Sequence, residues 1–514
     1  MVSDVKEFIL VHRKYAIVFV TLIFFITAIC IKFFQITRSI EMGIDSHQLI
    51  ILGESLRSGQ GYSLLNLPDN PPANLYPPLY PLIIAASLIL TENTYLPDIA
   101  LILKIVNLVF FLLALLIFYH YLQKKNDDKK INLIALALIA VNPVFSFYIN
   151  DVGTENLYLL LSITSVCLIE KMVEKNNKKY LYLGIIFAIF GFYARTIGIA
   201  LIAAIILFLF FQKKYKEAIQ SSLLSVLSVL PWFAYSYFFG SQPSYFKYFL
   251  IKNPYNIYEG NASFADFSLR IAENAIYYAQ KIPELIFSVN LGSPIISLPL
   301  LFITLIGFLK MTGKKINLLR FYIPLYILIL ITWPFTEKGR FLIPILLFLI
   351  YSFVMGCKRI FNKNMAASII QPSKIILLAT TLAIIGSSFL IQIKHINQIT
   401  NKKNMIIVNK RMAEISSYAK KEIPKENMII FRKPYFLYLY NRQYTTGYPY
   451  TNSVESFKKA VGKYSPLYII DDNKFDETKQ YLQPVIEELK KENRIELVYK
   501  SELSDFKIYK LIWD

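Results

Sequence analysis

The sequence predicts an all-α polytopic membrane protein of about eleven transmembrane helices, with interfacial helices on its outer face and a small α/β soluble domain at its C-terminal end. Three observations carry this expectation. Of 514 residues, 55% are hydrophobic and 15% aromatic, and mean hydropathy is +0.44, whereas soluble domains hold about 45–50% apolar residues. The apolar residues gather in long runs that suit a bilayer core of roughly 30 Å. From residue 394 onward the composition turns soluble, with 22 Lys/Arg and 15 Asp/Glu in 121 residues.

The runs cover 15–36, 98–122, 131–149, 155–172, 180–196, 197–211, 218–239, 294–310, 320–335, 341–357 and 374–393. The first follows Arg13 and Lys14 and ends without a small-residue cleavage site, so it is expected to remain as a span. Residues 77–90, "PPLYPLIIAASLIL", are short and hold three prolines, which fits an interfacial or re-entrant helix better than a span. With that segment uncounted, loops on one side carry 22 Lys/Arg and those on the other carry 9. The richer side is expected to be cytoplasmic. Residues 37–97, 150–155, 240–293 and everything after about 393 then face outward, and the N-terminus faces inward. The protein is expected in the cytoplasmic membrane, with residues 1–393 as its membrane domain and 394–514 as an extracytoplasmic domain.

A net charge of +20 could by itself indicate nucleic acid, but its concentration in short loops between apolar runs points to a membrane and to no nucleic acid. Cys30, Cys167 and Cys357 lie far apart in or beside apolar runs, and the four histidines are scattered. Neither a disulfide framework nor a zinc site is expected. The soluble segment reads as helix near 405–421, strand 427–431, helix near 453–462, strand 467–471, helix 475–491 and strands near 494–499 and 506–511.

Ionisable residues near a membrane are costly unless they face water or a partner, and here they gather at the outer boundary. Asp45 opens an apolar-periodic stretch from Ile44 to Leu56, read as an interfacial helix whose first turn favours a carboxylate; an N-cap role fits it equally. Asp151 and Glu155 follow "NPVFSFYIN", and their i, i+4 spacing puts both on one helix face. The three acids together could supply a general base or hold a divalent metal through Asp45 and Asp151. Arg195 in "GFYARTIG" and Arg340 in "WPFTEKGRFLIP" run against the bias of the basic loops, and a guanidinium can clamp a phosphate. Lys104 is a third cation, with snorkelling as its alternative; Lys32 is assigned to snorkelling. "NLYPPLYPL" brings Tyr76 and Tyr80 to the interface, where rigid proline and amphipathic tyrosine suit anchoring.

These segments, in their order and shared face, resemble the GT-C superfamily of glycosyltransferases, in particular its protein O-mannosyltransferase-like and aminoarabinose-transferase-like branch. "GIDSHQLIILGESLRSGQGY", "YPPLYPL", "NDVGTE", "YARTIG" and "GRFLIPIL" carry the resemblance over residues 15–357. It implies a GT-C fold and a glycosyltransferase that takes sugar from a polyprenyl-phosphate carrier for a lipid, glycan or protein acceptor. Asp45 and Asp151 would correspond to the family's two acids, with Glu155, Arg195, Lys104, Arg340, Tyr76 and Tyr80 in substrate binding. Two departures stand out: Ser46 follows the first acid where many relatives have Glu, and Pro77-Pro78 stand where the aminoarabinose branch tends to carry Lys. No cofactor is legible; a divalent metal is compatible with the acids and not required. A transporter or lipid-linked-sugar flippase, and a polysaccharide polymerase or ligase, are the competing readings. Transporters favour mid-membrane charges and symmetric halves, and neither is found in the sequence.

Overall fold

The computed structural model describes residues 19, 21–40, 44–91, 96–126, 128–255, 259–313, 316–361, 367–400, 403–462, 466–473, 475–502 and 505–512; His12, Arg13 and Lys14 lie outside them. In chain order the helices begin with α1 (Thr21–Phe34). There follow α2 (Ile44–Arg57), α3 (Leu79–Thr91), α4 (Leu96–Lys125), α5 (Lys129–Val141), α6 (Pro143–Ile149), α7 (Glu155–Lys175), α8 (Lys178–Ala194) and α9 (Ile199–Phe211). Then come α10 (Tyr215–Phe238), α11 (Tyr245–Leu250), α12 (Phe264–Phe287), α13 (Pro294–Gly313), α14 (Leu319–Thr332), α15 (Ile343–Phe361) and α16 (Ala367–Thr400). The described part of each of the eleven apolar runs falls on one of these helices, the third on the pair α5 and α6. Among the described residues, five helices are long and apolar enough to cross a membrane, or six if that bent pair is one span, and four shorter apolar helices accompany them. The chain is a multi-pass membrane protein. Helices prevail because a lipid-exposed backbone must satisfy its own hydrogen bonds.

The 131–149 run is not one straight helix: it bends by 49° between α5 and α6. Pro143 cannot donate to the preceding turn, and the Asn142 side chain caps α6 by accepting from Val144 N at 2.9 Å. Here one expectation fails. Lys32 does not snorkel; it is 1% exposed, and its ammonium donates to the Asn142 carbonyl at 3.2 Å and Ser146 Oγ at 2.9 Å. The Asn142 carbonyl at the break and the Ser146 hydroxyl accept from a cation that would otherwise reach for the interface. Gln392 of α16 closes the network, accepting from Ser146 at 2.8 Å and donating to the Val141 carbonyl.

α13 and α15 approach at Gly307 and Gly356, where a Cβ would strike the backbone at Ser352 and Ile303 respectively; small residues let helix backbones meet this closely. α12, twenty-four residues long, lies in the segment read as an outer loop. Ser263 and Asp266 form a capping box at its start, and Asn274, Tyr278 and Ile282 mark its buried face.

The C-terminal α/β domain holds α17 (Lys403–Glu422), β1 (Met428–Ile430), α18 (Pro434–Asn441), β2 (Thr445–Thr446), α19 (Val454–Val461), β3 (Pro466–Asp472), α20 (Gln483–Lys491), β4 (Ile495–Lys500) and β5 (Phe506–Leu511). The sheet runs β2-β1-β3-β5-β4, with β1 parallel to β2 and β3, and β5 antiparallel to β3 and β4. Alternation along the strands fills two layers. Ile429, Ile470 and Ile508 pack on Met412, Ile415, Phe436 and Leu437, while Ile430, Ile469 and Tyr509 pack on Phe457, Val485 and Leu489. The short α18 and β2 were not anticipated.

This domain is docked on the segment between α1 and α3. Asn66 exchanges backbone and side-chain bonds with Thr445 at 2.8 and 3.0 Å. Arg442 grips Glu54 with two bonds at 2.5 and 2.9 Å, and Phe436 stands edge-on to His47 at 4.8 Å. α2 is therefore wedged between α3 and α18, and Leu49 to Leu52 are buried.

Candidate active site

Four turns at one end of the helical bundle aim charged side chains at a common point. α2 begins with Asp45 in its first turn. The turn from Asn150 to Thr154 presents Asp151 and leads into Glu155, the first residue of α7, where the helix dipole favours a carboxylate. Arg195 caps the C-terminus of α8. Arg340 lies in a 3-10 turn before α15, in which Lys338 and Gly339 take left-handed conformations (φ 51° and 83°); glycine accepts this readily, and a Cβ at Gly339 would also strike Lys281.

Arg340 is the hub. Its Nη1 donates to Asp45 Oδ2 and its Nε to Glu155 Oε1, and its Nη2 lies 4.0 Å from Asp151 Oδ2. Glu155 Oε1 also receives Arg195 Nη1, which in addition reaches Thr154 Oγ1 at 3.1 Å. Glu155 is thus the buried counter-ion of two guanidiniums. Among the described residues its Oε2 has no hydrogen-bond partner, and it lies against Gly153, where a Cβ would collide with it.

Asp45 Oδ1 accepts from the Tyr76 hydroxyl at 2.5 Å, and the Tyr76 carbonyl is held by Tyr62 at 2.7 Å. Burial, with Asp45 second, holds the Tyr76 phenol well above its usual range, so it stays a donor. Asp151 Oδ1 accepts from Ser46 Oγ at 2.6 Å, and its backbone carbonyl from Asn107 at 2.7 Å. Desolvation raises the Asp151 carboxyl above its ordinary value, Arg340 opposing it.

Asp45, Asp151, Glu155, Arg195, Arg340 and Tyr76 form one connected set. Asp151 and Glu155 do not share a helix face as their spacing suggested, because α7 starts only at Glu155; Arg340 joins them instead. Tyr80 is one step removed, donating at 3.0 Å to Asn107. Lys104 donates to Thr37 Oγ1 at 2.9 Å and to the Ser39 carbonyl at 2.7 Å, bracing the chain between α1 and α2. Among the described residues no group of three or more His, Cys, Asp or Glu side chains is arranged to hold a metal. A divalent cation between Asp45 and Asp151 would meet the Arg340 guanidinium, so this donor set does not fit one.

Sequence reasoning did not single out Asn107 and noted Ser46 only as a departure. Asn107 carried a signal, an amide within the 98–122 apolar run, and the structure buries it fully.

The fold is shared with solved membrane proteins, ArnT and AglB among them. A model of the dolichyl-phosphate-mannose-protein mannosyltransferase family matches residues 76–237, which include Tyr76, Tyr80, Lys104, Asp151, Glu155 and Arg195. Among solved structures the chain resembles ArnT from Cupriavidus metallidurans bound to undecaprenyl phosphate, with a TM-score of 0.57 and 10% identity over 95% of this chain and 97% of that one. Apo ArnT gives a TM-score of 0.59 at 9% identity, over 96% and 98%. The archaeal oligosaccharyltransferase AglB from Archaeoglobus fulgidus, in complex with an inhibitory peptide and a dolichol-phosphate, gives 0.54 at 11% identity over 88% of this chain and 69% of that one. A sequence search of curated proteins finds no match.

Proposed function

We propose that this protein is a glycosyltransferase that moves a sugar from a polyprenyl-phosphate carrier to an acceptor on the extracytoplasmic face, by a single inverting displacement. The observation that carries the reading is Arg340, a guanidinium bonded at once to a half-exposed carboxylate, Asp45, and a buried one, Glu155. Support for the carrier comes from the ArnT and AglB structures, which hold undecaprenyl phosphate and a dolichol-phosphate. The outward orientation of this end rests on the distribution of basic residues, 22 against 9.

In this reading Glu155 fixes Arg340 and Arg195, and the carrier phosphate displaces Asp45 from Arg340 Nη1. Asp45, freed but kept in place by Tyr76, takes the proton of the acceptor hydroxyl or amine as that atom attacks the anomeric carbon. The bond from anomeric carbon to phosphate oxygen breaks, its electron pair leaves with the phosphate, and the guanidiniums stabilise that charge. Asp151, tied to Ser46 at the start of α2, positions the helix that carries the base. Mass spectrometry of envelope glycans and glycoproteins from a deletion strain tests the proposal. A specific missing sugar, restored by the gene, is expected; an unchanged profile under conditions where the gene is expressed would refute it.

A further inference from the structure

We propose that Lys433 of the C-terminal domain is a binding residue for the carrier phosphate, its ammonium delivered to the mouth of the Asp45–Arg340 cluster. The inference rests on the glycosyltransferase reading above and extends its site to a second domain. Lys433 immediately precedes Pro434, the first residue of α18. One turn further on, Phe436 stands edge-on to His47, two residues beyond Asp45, so the start of α18 is laid over the start of α2. Its neighbour Arg432 is committed elsewhere, to Glu477 at 3.0 Å and to the face of Tyr450 at 5.0 Å.

Lys433 differs from the other cations of this cluster. It is half-buried, yet among the described residues its ammonium has no hydrogen-bond or ion-pair partner. The nearby carboxylates are engaged: Asp45 by Arg340 and Tyr76, Glu477 by Arg432. Glu337, exposed on the turn that carries Arg340, is its competing partner. Burial and Arg432 pull the ammonium down to about 8, against the opposing influence of Glu477, Asp45 and Glu337. A half-desolvated cation without a partner favours an incoming anion, and lysine suits a phosphate as a mobile point charge beside the fixed forks of the arginines.

The test uses the full-length protein in nanodiscs, with undecaprenyl phosphate as the probe and inorganic phosphate in a parallel titration. Lys433→Met is expected to weaken undecaprenyl phosphate binding about 10- to 100-fold, the value of one charge-assisted bond, with Tm unchanged. Lys433→Arg is expected to recover most of the affinity. Weaker binding of inorganic phosphate as well would assign the contact to the phosphate group; a loss confined to the lipid would assign it to the tail and overturn the proposal. Unchanged binding by Lys433→Met would also overturn it, leaving Lys433 as a counter-charge to Glu337. If the wild-type protein binds no undecaprenyl phosphate, the carrier assignment falls and this inference with it.

Discussion

Two of the places where the bundle buries cations differ in the kind of partner they offer. Among the described residues Lys32 donates only to neutral acceptors, the Asn142 carbonyl and Ser146, with Gln392 reached through Ser146 and the Phe111 ring 5.3 Å away. Around Arg340 and Arg195 stand three carboxylates, and Asp45 and Asp151 are 32% and 24% exposed at the side chain. A closed neutral network braces a broken helix and offers nothing to exchange. A charged cluster open on one side can trade one anion for another, and that capacity separates a candidate site from a structural brace.

The largest expected effect contrasts the two. Glu155→Gln leaves both guanidiniums without their buried counter-ion, and breaking such a pair costs about 3–5 kcal/mol; thermal unfolding in detergent should fall sharply and transfer should vanish. Lys32→Met should cost about 1–3 kcal/mol and keep transfer. Loss of transfer by Lys32→Met at unchanged stability would break the comparison.

A smaller effect is expected at Gly153, where an alanine must push Glu155 and Arg340 aside. Displacements of this size in a catalytic constellation can cost about 100-fold, so Gly153→Ala should lower transfer more than it lowers Tm. Equal transfer by this variant would mean that the cluster tolerates displacement and is not preorganised.

The smallest concerns pH. The Asp151 carboxyl is raised above 3.8 by desolvation, so between the unfolded and folded values the native state holds the extra proton. Its contribution to stability is therefore present at acidic pH and lost as pH rises through the folded value. Asp151→Asn should flatten the stability profile across that window and raise Tm near neutrality; an unchanged slope would mean that Asp151 is not the group responsible.

Much of this was legible in sequence because charge in an apolar context is conspicuous. Asp45, Asp151, Glu155, Arg195 and Arg340 each stand at the end of an apolar run, and the helices follow from those runs. α12 was hidden because its polar face, with Asp266, Arg270, Glu273 and Lys281, breaks the apolar run. The bend at Asn142-Pro143 was written in a proline but masked by the hydropathy around it. Lys32 was misread because hydropathy cannot see the acceptors that Asn142 and Ser146 present from elsewhere in the bundle. Lys433 gave no signal at all, since its place beside α2 depends on how the C-terminal domain docks.

The most direct test of the central claim is Asp45→Asn, expressed at wild-type level in the membranes of a deletion strain, read by mass spectrometry of the envelope and by undecaprenyl phosphate binding. Loss of a general base typically costs about 100- to 10,000-fold, so the missing sugar should stay missing while the carrier still binds, more tightly than before because Arg340 has lost its competitor. Restoration of the sugar to wild-type level by Asp45→Asn would contradict the account.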